Sequence, residues 1–194
     1  MTTDRRTRRR RRRLIGLLFV VAATATIGAA SFSLAIFTST ATVGANTFTN
    51  GTIVLGASPA TALLTADAML PGDTVTGSLV VSNTGTSQLR YAMTSASTNA
   101  DTKGLMNQLT LTVKTLGTSC ATFDGTTLYT GTLASAAFGN PLPGAQAGDR
   151  TLDAATHETL CFAATLPLGT GNTFQGATTT ATFTFDAEQT ANNP

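Results

Sequence analysis

The feature that most constrains this chain is a two-residue apolar period, recurring between turn signals along its last three quarters. "LTLTVKTL" alternates Leu109, Leu111 and Val113 with Thr110, Thr112 and Lys114. "ATFTFDAE" sets Ala181, Phe183, Phe185 and Ala187 against Thr182, Thr184, Asp186 and Glu188. "VTGSLVVSN" puts Val75, Leu79 and Val81 on one side with Gly77 between them. "TLCFAATL" puts Leu160, Phe162, Ala164 and Leu166 on one side and Cys161 on the other. Such a period describes a strand with one buried and one wet face, which is the pattern of antiparallel sheets. Threonine supplies much of the wet face, where its branched β-carbon suits extended backbone.

Turn chemistry separates these runs. "LPGDT" offers Pro71 to fix φ and Gly72 where φ can be positive, followed by Asp73. "SNTGTS" (82–87), "DGTT" (124–127), "FGNPLPG" (138–144) and "LGTGN" (168–172) punctuate the remainder. A single helical stretch is expected in "NADTKGLMNQL" from Asn99, with Asp101 as its N-cap and Gly104 weakening it. The closing "EQTANNP" reads as a frayed end. Short strands with turns every eight to twelve residues indicate an all-β fold, an antiparallel β-sandwich of jelly-roll type with at most one or two short helices.

The N-terminal quarter has a different character. Arg5, Arg6 and Arg8 to Arg13 supply eight of the 12 lysines and arginines, and an apolar run follows from Leu14. A basic n-region (5–13) and an apolar h-region (14–35) make residues 1–35 a secretory signal peptide, with Ser33 and Ala35 at the small-residue positions before a cut at Ile36. A retained N-terminal anchor is the other reading of this run, whose length reaches the spanning range. Residues 36–194 then form one domain. A chain starting at Ile36 carries four cationic side chains against nine acidic ones, a net charge of −5 rather than the +2 of the whole chain. That balance excludes nucleic acid as a partner, and the membrane enters only through an uncleaved signal. Two cysteines in an exported chain imply one disulfide, Cys120–Cys161, with a reactive or metal-binding pair as the alternative.

Catalytic motifs are hard to find. His157 is the one histidine, and "HETLC" is not H-E-x-x-H because Cys161 stands where a second ligand would be. A catalytic zinc takes three protein ligands and an open position, so His157 reads as a surface residue just before a strand. No serine sits in a nucleophile elbow, and no phosphate-binding glycine loop occurs. Asp67, Asp73, Asp101, Asp124, Asp149 and Asp153 stand singly in expected turns, without the spacing of a calcium loop. With no tryptophan and two tyrosines, Tyr91 and Tyr129, the chain lacks a sugar-stacking platform, and both tyrosines read as core or interface residues. No catalytic residue, cofactor or metal ligand is assigned.

The run "IFTSTATVGANTFTNGTIVL" (36–55), then "LLTADAMLPGDTVTGSLVVSNTGTSQLRYAM" (63–93), and "NTFQGATTTATFTFDAEQ" (172–189) resemble the TasA/camelysin family of secreted bacterial proteins. Asn46, Phe48, Gly51, Pro71, Gly72, Asp73, Asn83, Gly85, Gln175, Gly176, Phe183 and Phe185 carry the likeness. The resemblance implies a jelly-roll sandwich, cleavage by a signal peptidase of the SipW type, and a role as a subunit of extracellular biofilm fibres. In such fibres the N-terminal strand freed by cleavage pairs into the next subunit. Here that donor strand is 36–45, with Ile36, Phe37, Thr38, Ala41 and Val43 as its assembly residues, and main-chain hydrogen bonds to an open sheet edge would hold it. Partners implied are the chain itself, joined head to tail, or a related fibre subunit. The low-charge, threonine-rich surface suits side-by-side association. The family also implies two alternatives, a camelysin-like metalloendopeptidase and a non-polymerising adhesin or accessory fibre protein. The arginine-rich leader and the cysteine pair depart from what fibre-forming members require.

Overall fold

The computed structural model describes Thr47 and residues 49–193. Nine strands run through the described residues: β1 Leu55–Ser58, β2 Thr74–Asn83, β3 Leu89–Ser97, β4 Thr110–Thr115, β5 Thr127–Thr132, β6 Ala137–Phe138, β7 Arg150–Leu152, β8 Thr156–Thr165 and β9 Ala181–Gln189. All pairings are antiparallel. One sheet has the order β1-β2-β8-β4-β5. In the other, β3 pairs β9 along its whole length on one side and β7 and then β6 on the other. Inserting the late strand β8 between β2 and β4, and pairing β9 with β3, gives the interleaved order of a jelly-roll sandwich.

The alternation read from the sequence fixes which residues face inward. Leu79, Val81, Leu111, Val113, Leu160 and Phe162 of the first sheet meet Leu89, Tyr91 and Met93 of the second, and all are buried. Each such Leu, Val or Phe stabilises the fold by roughly 1.5–3 kcal/mol relative to an exposed position. Phe162 stacks obliquely on Phe183 with centroids 5.3 Å apart, and Tyr91 meets Phe138 edge-on at 5.9 Å. In β8 two outward residues, Cys161 and Ala163, are buried too, Cys161 through its disulfide to the loop carrying Cys120.

Two local expectations are corrected. The helix, α1, spans only Leu105–Gln108 and is capped by Gly104, whose φ of 73° is left-handed. Asp101 does not cap it. Its carboxylate instead accepts the Lys103 amide at 3.0 Å and the Thr178 amide at 2.7 Å, tying two loops together. Nor is the C-terminal end loose through Asn193. Arg90 donates to the Asn193 carbonyl and to Glu188, while Asn193 Nδ2 donates to Glu188 at 2.7 Å.

Candidate assembly site

Two groups of the sequence-predicted residues come together in the fold, at different places. The first lies at the β2–β3 turn. Asn83 is fully buried; its Nδ2 donates to the carbonyls of Ser87 (2.8 Å), Leu152 (3.2 Å) and Asp153 (3.1 Å), and its Oδ1 accepts the Gly85 amide at 3.0 Å. A buried amide so fully partnered fixes the turn's shape. The segment entering β1 docks on that turn: Thr86 and Ser87 amides donate to the Thr52 carbonyl at 2.8 and 3.0 Å, and the Thr84 amide to that of Val54 at 2.9 Å. Contact is so close that a Cβ at Gly85 would stand 2.3 Å from the Thr52 carbonyl oxygen, and one at Gly51 2.2 Å from Ser87 Oγ. Both glycines of the motif are therefore explained by approach of backbone to backbone or side chain.

The second group lies between the sheets on the side where β9 and β2 face each other. A cavity of about 1040 Å³ is lined there by Pro71, Gln175, Gly176, Phe183 and Phe185, together with Val75 and Leu79. Its outer wall is the irregular stretch from Pro59 to Leu70. Gly72 and Asp73 stand just beyond, in a turn with Gly72 at φ 99°. The Gly72 amide donates to the Leu166 carbonyl at 2.7 Å and the Leu166 amide to that of Asp73 at 3.0 Å, pinning the turn to the end of β8. Among the described residues β9 pairs only with β3, and its other edge lies beside the cavity. The inward side chains of β9 are only half-buried there.

Ser33, Ala35, Ile36, Phe37, Thr38, Ala41, Val43, Asn46 and Phe48 lie outside the described residues. The cysteines do form a disulfide, Cys120–Cys161, with Cα atoms 5.1 Å apart. Asp124 serves its loop by accepting the Thr118 amide at 2.8 Å, and hydrogen bonds from Thr118 and Thr122 hold its carboxyl down at about 2. Asp149 similarly accepts the amides of Asn140 and Gln146. Sequence reasoning missed the segment around Leu63, Leu64 and Met69, which packs on the core and walls the cavity. Its signal, apolar residues without a clear period, was too weak to place it. Also missed was a polar strut between sheets, where Tyr91 donates to Glu158 at 2.6 Å and Arg150 Nε holds the same carboxylate at 2.9 and 3.0 Å.

That strut bears on metal binding. His157 and Glu158 are neighbours on β8 and so point to opposite faces. His157 is exposed opposite Ser82, while Glu158 turns inward to Tyr91 and Arg150. Both cysteines are spent in the disulfide, and among the described residues no three His, Cys, Asp or Glu side chains group to hold an ion. Residues 1–46 add one carboxylate, Asp4, and no histidine or cysteine. This donor set does not fit a catalytic metal centre.

A family model described as camelysin metallo-endopeptidase matches residues 12–112. No curated protein matches the chain.

Proposed function

Because this chain belongs to the TasA/camelysin family, we propose that it is an exported structural subunit that assembles head to tail by strand addition. The observation that carries this reading is the large cavity beside β9, lined by both apolar and polar residues, where Pro71, Gln175, Gly176, Phe183 and Phe185 converge. A strand laid on the outer edge of β9 gains main-chain hydrogen bonds while alternate side chains enter the cavity. "IFTSTATV" (36–43) supplies a strand-forming segment with apolar Ile36, Phe37, Ala41 and Val43.

Chain direction favours a strand from a second copy. Thr52 docks at Thr86 and Ser87, and β9 ends at the same corner, where the Thr190 amide donates to the Gln88 carbonyl. A segment of the same chain running straight into Thr52 would therefore lie parallel to β9 in an otherwise antiparallel sandwich. A strand from another copy is free to run antiparallel, the more stable pairing. Addition of this kind does not close on itself and gives filaments. Signal cleavage before Ile36 would release the donor strand, coupling export to assembly.

The test is removal of residues 36–43 from a chain beginning at Ile36. The shortened protein is expected to stay folded and monomeric while the parent forms fibres; identical fibres from both would end the strand-addition reading. A metalloendopeptidase takes its support from the family's description alone, against the donor set described above. It requires stoichiometric zinc and chelator-sensitive proteolysis that His157→Ala abolishes. An accessory or adhesin role would show as incorporation into a partner's fibre without self-assembly.

A further inference from the structure

The two walls of the cavity beside β9 are held in different ways. One wall, residues 172–180, is tied to the loop that follows β3. The Thr178 amide donates to Asp101 at 2.7 Å, Lys103 Nζ to the Gln175 carbonyl at 2.7 Å, and the Thr98 amide to the Thr180 carbonyl at 2.9 Å. The other wall is the stretch from Pro59 to Leu70, which contains no helix or strand. Among the described residues no hydrogen bond reaches residues 59–69; the first is at Leu70, whose amide donates to Asp73 Oδ2 at 2.8 Å. What holds this wall is apolar. Leu63, Leu64 and Met69 are half-buried against the core, and residues 65–68 between them are exposed.

Its seat is Gly77. That residue faces inward between Val75 and Leu79 on β2, and a Cβ there would stand 2.5 Å from the Leu63 carbonyl oxygen and 3.1 Å from Leu64 Cδ2. The missing side chain lets the main chain of the wall settle onto the sheet. The wall is also longer than its span. It leaves β1 at Ser58, opposite Val80, and rejoins β2 at Thr74, about 20 Å back along that strand. The twelve residues 59–70, extended, reach about 40 Å. The stretch can therefore lift away while β1 and β2 keep their pairing. Few buried contacts and unpaired main chain mark a segment that opens at low cost.

We infer that Pro59–Leu70 is a gate on the assembly groove. Seated at Gly77, it closes the cavity in the free subunit, and it opens to admit the N-terminal strand of a second copy. The inference rests on the strand-addition reading above and adds what limits the rate of addition. A strand entering from the side must pass this wall, because the opposite wall is fixed by Asp101, Lys103 and Thr98. Only the open fraction of subunits accepts a strand, so a seated gate slows addition in proportion.

The test follows fibre formation by light scattering with the chain from Ile36 and two wall variants. Gly77→Ala unseats the wall and leaves its leucines in place, while Leu63→Ser/Leu64→Ser removes two of its three apolar anchors. Leu142→Ser, on the exposed β6–β7 loop, controls for loss of a surface leucine. Thermal melts establish that each variant is folded; should either wall variant unfold, the other decides. Elastase cutting at Ala60, Ala62, Ala66 and Ala68 reports an open wall. The expected result is earlier cutting and a several-fold shorter lag for the wall variants, with parent and control alike. A lag unchanged or lengthened in a folded wall variant overturns the gate and leaves strand addition standing. Absence of fibres from every sample removes the strand-addition reading, and the gate with it.

Discussion

The Tyr91 hydroxyl on β3 donates to a carboxylate oxygen of Glu158 on β8 at 2.6 Å, joining one sheet to the other through the core. Burial, and then acceptance by Glu158, pushes the Tyr91 pKa up, so the hydroxyl remains a donor at any ordinary pH. The Glu158 partnership in turn raises that of Arg150. Glu158→Ala strands a buried hydroxyl and a partly buried guanidinium, and is expected to cost about 1–3 kcal/mol. Tyr91→Phe removes one donor and leaves Glu158 with Arg150, so its cost is expected to be smaller. Urea unfolding of both variants checks the order; equal stability would show that the strut contributes nothing.

Gly85→Ala is expected to destabilise by about 1–3 kcal/mol, because the new methyl meets backbone rather than a yielding side chain. Its nearest neighbours would be the Thr52 carbonyl oxygen at 2.3 Å and Ile53 Cα at 2.7 Å. Hydrogen exchange gives a sharper readout than the melting point. Protection of the Thr84 and Thr86 amides, which donate to Val54 and Thr52, should fall while that of β8 is kept.

Replacing both cysteines by alanine opens a link between residues 41 apart in sequence. The chain-entropy relation puts the loss at about 4 kcal/mol. A double variant within about 0.5 kcal/mol of the parent, a typical margin for neutral surface changes, would mean that the Asp124 contacts alone close the loop.

Stability should be flat from neutral pH down to about 5 and fall below it. Hydrogen bonds from Thr118 and Thr122 hold the Asp124 pKa near 2, below the ordinary 3.8. Asp101 is lowered chiefly by the Thr178 amide, and Glu188 chiefly by Arg90. A depressed folded pKa gives stability that is present above the unfolded value and lost as pH falls through the folded one. Acid titration of Asp124→Asn should show a shallower loss between about pH 4 and 2; an unchanged slope would assign the acid limb to other groups.

The architecture was legible wherever a strand has one wet face. In β2, β4 and β9 the inward residues are those the two-residue period picks out, and the Pro71–Gly72 and Asn83–Gly85 turns fall where their chemistry places them. Beyond these, the sequence was silent for identifiable reasons. α1 has four residues and no side-chain cap, too few for a 3.6-residue period to register. Asp101 looks like a helix cap locally, yet its partner Thr178 is 77 residues away. The Tyr91–Glu158–Arg150 strut and the wall of the cavity are likewise non-local, and no spacing along the chain encodes them. Asn83 and Gly85 were identified through resemblance; the fold supplies the physical reason, a buried amide and a backbone approach.

The most direct test of the central claim is electron microscopy of two samples of the chain beginning at Ile36, one with a free N-terminus and one with a bulky domain fused ahead of it. Fibres from the free form and none from the blocked form are the expected result, with Phe183→Glu in the cavity abolishing fibres from the free form as well. Dispersed monomer from the free form, or equal fibres from both, would contradict assembly by the N-terminal strand.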